Sequence, residues 1–163
     1  MPATSRTARF GVLILTSLAI AFSALLVSPA PTANAATSYR SARVLHALRV
    51  ARHQIGDPYR YGSDGPGSFD CSGLTYFAMH KRSGFGHFPR TAAEQARFTH
   101  RIRRSHMRKG DLMFFTSGGH VYHVGIFDGW RHGHRLVLHA PYPGARVRVE
   151  RVWTNAWFPG TTR

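Results

Sequence analysis

Asp70-Cys71-Ser72-Gly73-Leu74 holds the only cysteine of the chain. A thiolate is among the strongest side-chain nucleophiles toward a carbonyl carbon, so a lone cysteine poses a chemical question. One cysteine cannot close an intramolecular disulfide. It is a small buried hydrophobe, an intermolecular partner or a nucleophile. Its surroundings favour the last. Asp70 is a helix-capping residue type, and Leu74, Phe77 and Ala78 follow at helical spacing. Cys71 then falls in the first turn of a helix, where free N–H groups and the helix dipole favour a thiolate.

A cysteine nucleophile needs a base, and the base needs a group that orients its ring. The chain has 11 histidines, so geometry must choose among them. Residues of one parity share a face of a strand. In Val121 to Phe127, Val124 and Ile126 mark a core face and leave His123 and Gly125 on the other. In Arg135 to Ala140, Leu136 and Leu138 share one face, and Val137 and His139 the other. A short hairpin-like loop joins the two runs, so His123 and His139 are expected as cross-strand neighbours. Packing that face against the start of the Cys71 helix would assemble Cys, His and His. His120 lies at the turn and off that face. The remaining histidines read as surface residues. A zinc set from His132 and His134 with His139 or His123 lacks an acidic ligand at suitable spacing, and no metal is expected.

The elements that must hold these residues are legible in outline. Residues 39–55 read as a helix with Val44, Leu48, Ala51 and Ile55 in its stripe and Leu45 widening it; Gly56 and Pro58 stop it. Tyr59 to Ser68 is a loop by composition. The Cys71 helix ends between Lys81 and Gly84. Pro89 to Gln95 reads as a short helix with Thr91 as cap and Glu94 at capping-box spacing. Four strands follow: Asp111 to Phe115, Val121 to Phe127, Arg135 to His139 and Val147 to Val152. Short turns make them antiparallel neighbours, and helices followed by such a sheet give an α+β fold. Asp111 reads as a structural residue at a strand entrance.

The N-terminus has the features of a secretory leader. Arg6 and Arg9 precede an apolar run from Phe10 to Val27, and Ala33-Asn34-Ala35 is a cleavage-site pattern. Residues 1–35 are expected to be removed, with 36–163 as one catalytic domain, secreted or wall-associated, without a stable membrane anchor. An uncleaved anchor is the rival, since the run is nearly long enough to span a bilayer. No cysteine near the cleavage site offers a lipid attachment point. No internal repeat or second module is visible. The chain carries 22 Lys and Arg against 7 Asp and Glu, a formal net charge of +15. Such a chain adheres to anionic surfaces, including wall polymers. The densest basic run, Arg101 to Arg104, has no interleaved aromatics, so no specific nucleic-acid site is expected.

The motifs Pro58-Tyr59-Arg60-Tyr61-Gly62, Phe69-Asp70-Cys71-Ser72-Gly73-Leu74, Phe88-Pro89-Arg90-Thr91, Gly110-Asp111-Leu112-Met113-Phe114-Phe115, His123-Val124-Gly125-Ile126-Phe127 and His139-Ala140-Pro141 occur in order. Together they closely resemble the NlpC-type cell-wall cysteine peptidases, over roughly residues 42 to 159. The resemblance implies a papain-like core and hydrolysis of stem-peptide amide bonds in bacterial peptidoglycan, commonly between D-glutamate and the following diamino acid. It implies Cys71 as nucleophile, His123 as base and His139 as third polar residue, with no metal or organic cofactor. Tyr59, Asp70 and Ser72 match residues lining the site for the free amino end of the stem peptide. Arg90 matches a Pro-Arg motif that contacts substrate or serves structure.

Each assignment has a plainer alternative. Tyr59 could pack the turn, Asp70 cap the helix and Ser72 occupy a generic first-turn position. Arg90 could pair with a surface carboxylate, and His139 could be a satisfied core histidine. An amidase or acyltransferase on the same scaffold, or a basic non-catalytic wall-binding module, are the competing functions.

Overall fold

The computed structural model describes residues 33–163. Residues 1–32, most of the expected 1–35 leader and of its rival anchor, lie outside the described residues. The expected cleavage position after Ala35 falls in the first turn of helix α1, Ala33–Arg52. This helix starts earlier than its apolar stripe suggests and ends earlier too. Val44, Ala47, Leu48 and Ala51 are buried, whereas Leu45 is 41% and Ile55 50% exposed. Ile55 falls past the helix in a turn closed by Gly56, whose N–H donates to the Val147 carbonyl at 2.9 Å.

Helix α2, Cys71–Tyr76, runs into a π-helical turn, Phe77–Lys81. Leu74, Phe77 and Ala78 are buried as their spacing predicts, together with Met79. Burial of a Leu, Phe or Met side chain contributes about 1.5–3 kcal/mol, so this short segment is held by its packing. Helix α3, Ala92–Phe98, is capped by Thr91, and Thr91 and Glu94 form the expected capping box. It begins beyond Pro89 and runs past Gln95.

Among the described residues six strands form one antiparallel sheet: β1 (His100–Arg101), β2 (Leu112–Ser117), β3 (His120–Arg131), β4 (His134–His139), β5 (Arg148–Arg151) and β6 (Trp157–Thr161). Their spatial order is β1-β6-β2-β3-β4-β5. The arrangement is the expected α+β fold, with β1 and β6 added. Strand β6 carries Pro159 and Gly160, which disfavour a strand when read from sequence. It is nevertheless paired on both sides, with β2 and β1.

The strand alternation sorts side chains onto two faces. Leu112, Phe114, Val124, Ile126 and Leu138 join Val44, Leu48, Leu74 and Met79 from the helices in the main core. Met113, Phe115, Phe127, Val137 and Trp157 form a smaller core. His123 pairs with Phe115 in register and so shares the face of the smaller core. The helices therefore cover the sheet face opposite the histidines, and the Cys71 helix meets the histidine strand at its start, where the Val124 N–H faces the thiol. Only the N-terminal end of α2 reaches the site.

Two buried carboxylates tie the layers together. Asp128 accepts from Arg52 Nε at 2.7 Å, joining α1 to β3. Asp111, at the entrance to β2, accepts from the Arg108 N–H, the Thr161 hydroxyl and the Arg163 guanidinium. The strand-entrance role read from sequence is thus also a clasp on the C-terminal segment.

Gly73 sets how closely α2 approaches the preceding loop. A Cβ there would lie 2.0 Å from the Ser63 carbonyl oxygen and 3.0 Å from Asp64 Cα. Backbone cannot yield as a flexible side chain would. Gly73→Ala should therefore destabilise the fold by about 3 kcal/mol, read as a lowered urea midpoint. A midpoint equal to wild type would mean that loop and helix are not in this contact.

Candidate active site

Asp70 positions Cys71. Its Oδ1 accepts from the Gly73 N–H at 2.6 Å, capping α2, and its Oδ2 accepts from the Gly62 N–H at 2.9 Å. Arg90 adds a two-pronged contact, Nη1 to Oδ1 at 3.1 Å and Nη2 to Oδ2 at 2.8 Å. The same guanidinium donates to Ser72 Oγ at 3.0 Å, and Ser72 in turn donates to Asp70 Oδ1 at 3.2 Å. Burial opposes ionisation of Asp70, but the bonds from Arg90, Gly73 and Gly62 outweigh it and hold the carboxyl below its usual range. Asp70, Ser72 and Arg90 thus form one charge-assisted cluster on both sides of the cysteine.

The thiol lies against strand β3. Burial pushes the Cys71 thiol up, and the nearby Asp70 charge adds to this; the backbone N–H groups of Val124, Ser72 and Cys71 pull the other way. The net direction is upward, so the thiol keeps its proton at neutral pH. This departs from the thiolate expected of a helix start. Helix α2 is short, and the cost of a buried charge exceeds what its first turn returns.

One residue before Val124, His123 begins a relay. His123 Nε2 lies 2.8 Å from His139 Nδ1, and His139 Nε2 lies 2.8 Å from Glu150 Oε1. Arg148 Nε donates to the other oxygen, Glu150 Oε2, at 2.6 Å. The carboxylate fixes the tautomers. With Glu150 as acceptor, His139 carries its proton on Nε2 and accepts on Nδ1 from His123 Nε2–H. Nδ1 of His123 is then left unprotonated as the basic nitrogen. Burial, reinforced by His139, lowers the pKa of His123 to about 3. Burial likewise lowers that of His139 to about 4, against the opposing pull of Glu150. At rest the site holds a neutral thiol and neutral imidazoles.

Gly125 lies between the histidines on the same face. A Cβ there would come within 2.4 Å of Val137 Cγ2 and 3.1 Å of His139 Cβ. Its absence lets β4 approach closely enough for the diagonal His123–His139 bond. Trp153, in the connection between β5 and β6, covers the pair. Its ring stacks on His139 at 5.2 Å between centroids, meets His123 edge-on at 5.9 Å and stacks on Phe115 at 4.3 Å.

Two clefts meet at Tyr122. One, of about 460 Å³, is lined by Tyr59, Asp70, Cys71, Ser72 and Arg90. The other, of about 390 Å³, is lined by His123, His139, Tyr142, Glu150 and Trp153. All seven residues singled out in the sequence therefore line one cleft or the other. Sequence reasoning missed Glu150 and Trp153. Glu150 had a signal, since strand parity places it with Arg148 on the face of His139. Trp153 belongs to no strand and had none. His120 is exposed, as are the histidines outside the His123–His139 pair except half-buried His80.

A model of the NlpC/P60 family matches residues 56–163. A probable endopeptidase of Corynebacterium glutamicum (strain R) is 38% identical over 120 residues, covering 74% of this chain and 52% of that protein. The murein DD-endopeptidase MepH of Escherichia coli (strain K12) is 35% identical over 125 residues, covering 71% and 44%. The NlpC/p60 domain of the peptidoglycan hydrolase SagA superposes with a TM-score of 0.60 at 31% identity, over 73% of this chain and 98% of that one. The chain spans about half the length of each of these two relatives.

The histidine pKa values carry a stability consequence. An unfolded histidine titrates near its ordinary value of 6.5, whereas folded His123 and His139 titrate at about 3 and about 4. Below that upper value the unfolded chain binds more protons, so stability rises with pH there. The contribution is complete above pH ~6.5 and falls away as pH drops through about 4 to about 3, the folded values of the two rings. Urea unfolding should show progressive loss of stability across that window, with a shallower slope in His139→Gln. Equal slopes in both proteins would contradict neutral burial of the pair.

Proposed function

The chain belongs to the NlpC/P60 family, and from that premise we propose that it is a secreted cysteine peptidase hydrolysing stem-peptide amide bonds of bacterial peptidoglycan. The observation that carries this reading is the uninterrupted line from the base to a carboxylate, His123 to His139 to Glu150. It begins beside the backbone that holds the Cys71 thiol. A structural histidine pair would not need a directional relay from a carboxylate to a histidine next to Val124, the strand residue whose N–H faces the Cys71 thiol.

In the proposed reaction the stem peptide occupies the cleft beside Tyr59 and Asp70. Asp70 stays ionised there, which suits the free amino end of the peptide. The scissile carbonyl meets Cys71 Sγ. As sulfur attacks, the thiol proton passes to His123 Nδ1, and the carbonyl oxygen takes up negative charge near the Cys71 N–H. The imidazolium forms in a buried place, and His139 passes its field to Glu150. His123 then protonates the departing amine, leaving a thioester. Water adds to that thioester while His123 takes its proton, and collapse frees the carboxylic acid and the thiol.

The bond we assign is that between D-glutamate and the diamino acid. Secretion is supported by the basic and apolar leader ending at Ala33-Asn34-Ala35. An amidase would free glycan from whole stem peptides, an acyltransferase would give a transferred product, and a binding module would give neither.

The decisive experiment is digestion of defined muropeptides with product masses read directly. Cleavage at the assigned bond is expected, abolished by a thiol-alkylating reagent and reduced at least about 10³-fold in Cys71→Ala. Retained lysis by Cys71→Ala would end the catalytic proposal, and products cut at another stem bond would reassign the specificity. Glu150→Gln should lower kcat by about tenfold to a hundredfold with little change in KM, because it removes only the charge facing the transient imidazolium. A KM effect without a kcat effect would make Glu150 a binding residue instead.

A further inference from the structure

All three tryptophans of the chain line one surface groove of about 260 Å³, on the smaller-core side of the sheet. Trp130 closes β3, Trp157 lies in β6, and Trp153 sits in the connection before it. Trp130 is 56% and Trp153 48% exposed. Scattered exposed aromatics are ordinary on a protein surface, but convergence of every indole on one groove is not scatter. We propose that this groove binds the glycan strand of peptidoglycan, an inference that rests on the stem-peptide reading above.

The chemistry of the lining selects the ligand. A pyranose ring presents flat C–H faces that lie against an indole, while its hydroxyl and acetamide groups need hydrogen-bond partners at the edge. The groove has both. Trp130 and Trp153 supply exposed rings, and Thr154, Asn155 and Arg135 supply a polar rim. Arg135 Nε is buried without a hydrogen-bond partner among the described residues. No carboxylate lines the groove, so a cationic ligand finds no counter-charge there.

The groove is built rather than loose. The Arg135 guanidinium lies over Trp130 at 4.4 Å and Trp157 at 5.5 Å, and Arg104 lies over Trp157 at 4.2 Å. Arg104 Nη2 also donates to the Asn155 carbonyl at 2.7 Å, fixing the connection that carries Trp153. A preformed site of this kind loses little freedom on binding.

Position supplies the strongest argument. Trp153 lines this groove and also the cleft that holds His123 and His139. Its ring is stacked on His139. A glycan strand in the groove would therefore lie one indole away from the proposed catalytic histidines, in a groove joined through Trp153 to the histidine cleft and through Tyr122 to the cleft of Cys71. The site would keep the enzyme on the polymer between cuts.

The test uses glycan strands stripped of stem peptides, so binding is read without cleavage. Titration followed by tryptophan fluorescence and calorimetry should show binding by the wild-type protein that changes little between physiological and high salt. Trp130→Ala should weaken it by about tenfold, with Trp130→Phe retaining most of the affinity. Asn155→Ala, at an exposed rim position, should weaken it without disturbing the fold. Hydrolysis of a soluble, sugar-free stem peptide should be unchanged in Trp130→Ala, while digestion of intact wall slows. No binding of stripped strands, or wild-type affinity in both Trp130→Ala and Asn155→Ala, would overturn the proposal. So would capture of a polyol-phosphate polymer alone that vanishes at high salt, the mark of charge rather than of the indoles. Failure to cut the sugar-free peptide would refute the peptidase reading and leave the glycan result standing.

Discussion

Asp70 is the constraint on which the site depends. One carboxylate caps α2 through Gly73, closes the preceding loop through Gly62 and takes both prongs of Arg90. Each bond alone would contribute about 0.5–3 kcal/mol. Their joint effect is geometric, since they fix the direction from which the helix start meets the sheet. Cys71 follows Asp70 directly, and its sulfur inherits that placement. Ser72 is drawn into the same cluster by Arg90. The residues flanking the cysteine are thus structural in their contacts, and substrate would meet them as a rigid, already ionised wall.

The second constraint is burial of the histidine relay. Two imidazoles and a thiol taken from water all prefer their neutral forms, and the pKa directions agree on this. At rest the thiol and the imidazoles therefore do not stand as an ion pair. Glu150 keeps the transferred proton affordable in the low-dielectric interior, and Arg148 holds that carboxylate in place. Trp153 limits access of water to the same rings. In the reaction proposed above these features would belong to one arrangement, in which charge arises only during the reaction and is met by a fixed partner when it does.

Much of this was legible in the chain. Strand parity selected His123 and His139 from eleven histidines, because a period of two is a property of any strand whatever it packs against. The caps at Asp70 and Thr91 were likewise local, each needing only a side chain and the next turn of backbone. The errors have an equally physical origin. Leu45 and Ile55 fit a helical stripe but lie where no neighbour covers them. Strand β6 contradicts its own Pro159 and Gly160 because β2 and β1 hold it on both sides. Periodicity reports what a segment can bury and is silent about what arrives to bury it.

The sequence by itself determined the chemistry: one thiol at a helix start, two histidines of matching parity and a carboxylate at the cap, all set by residue type and short spacing. Only the tertiary structure decided which side of the sheet the helices cover, that Arg90 is committed to Asp70, that Glu150 completes the relay and that every tryptophan faces one groove. Those outcomes depend on contacts between segments far apart in the chain, where loop closure and mutual burial, rather than local propensity, determine which residues meet.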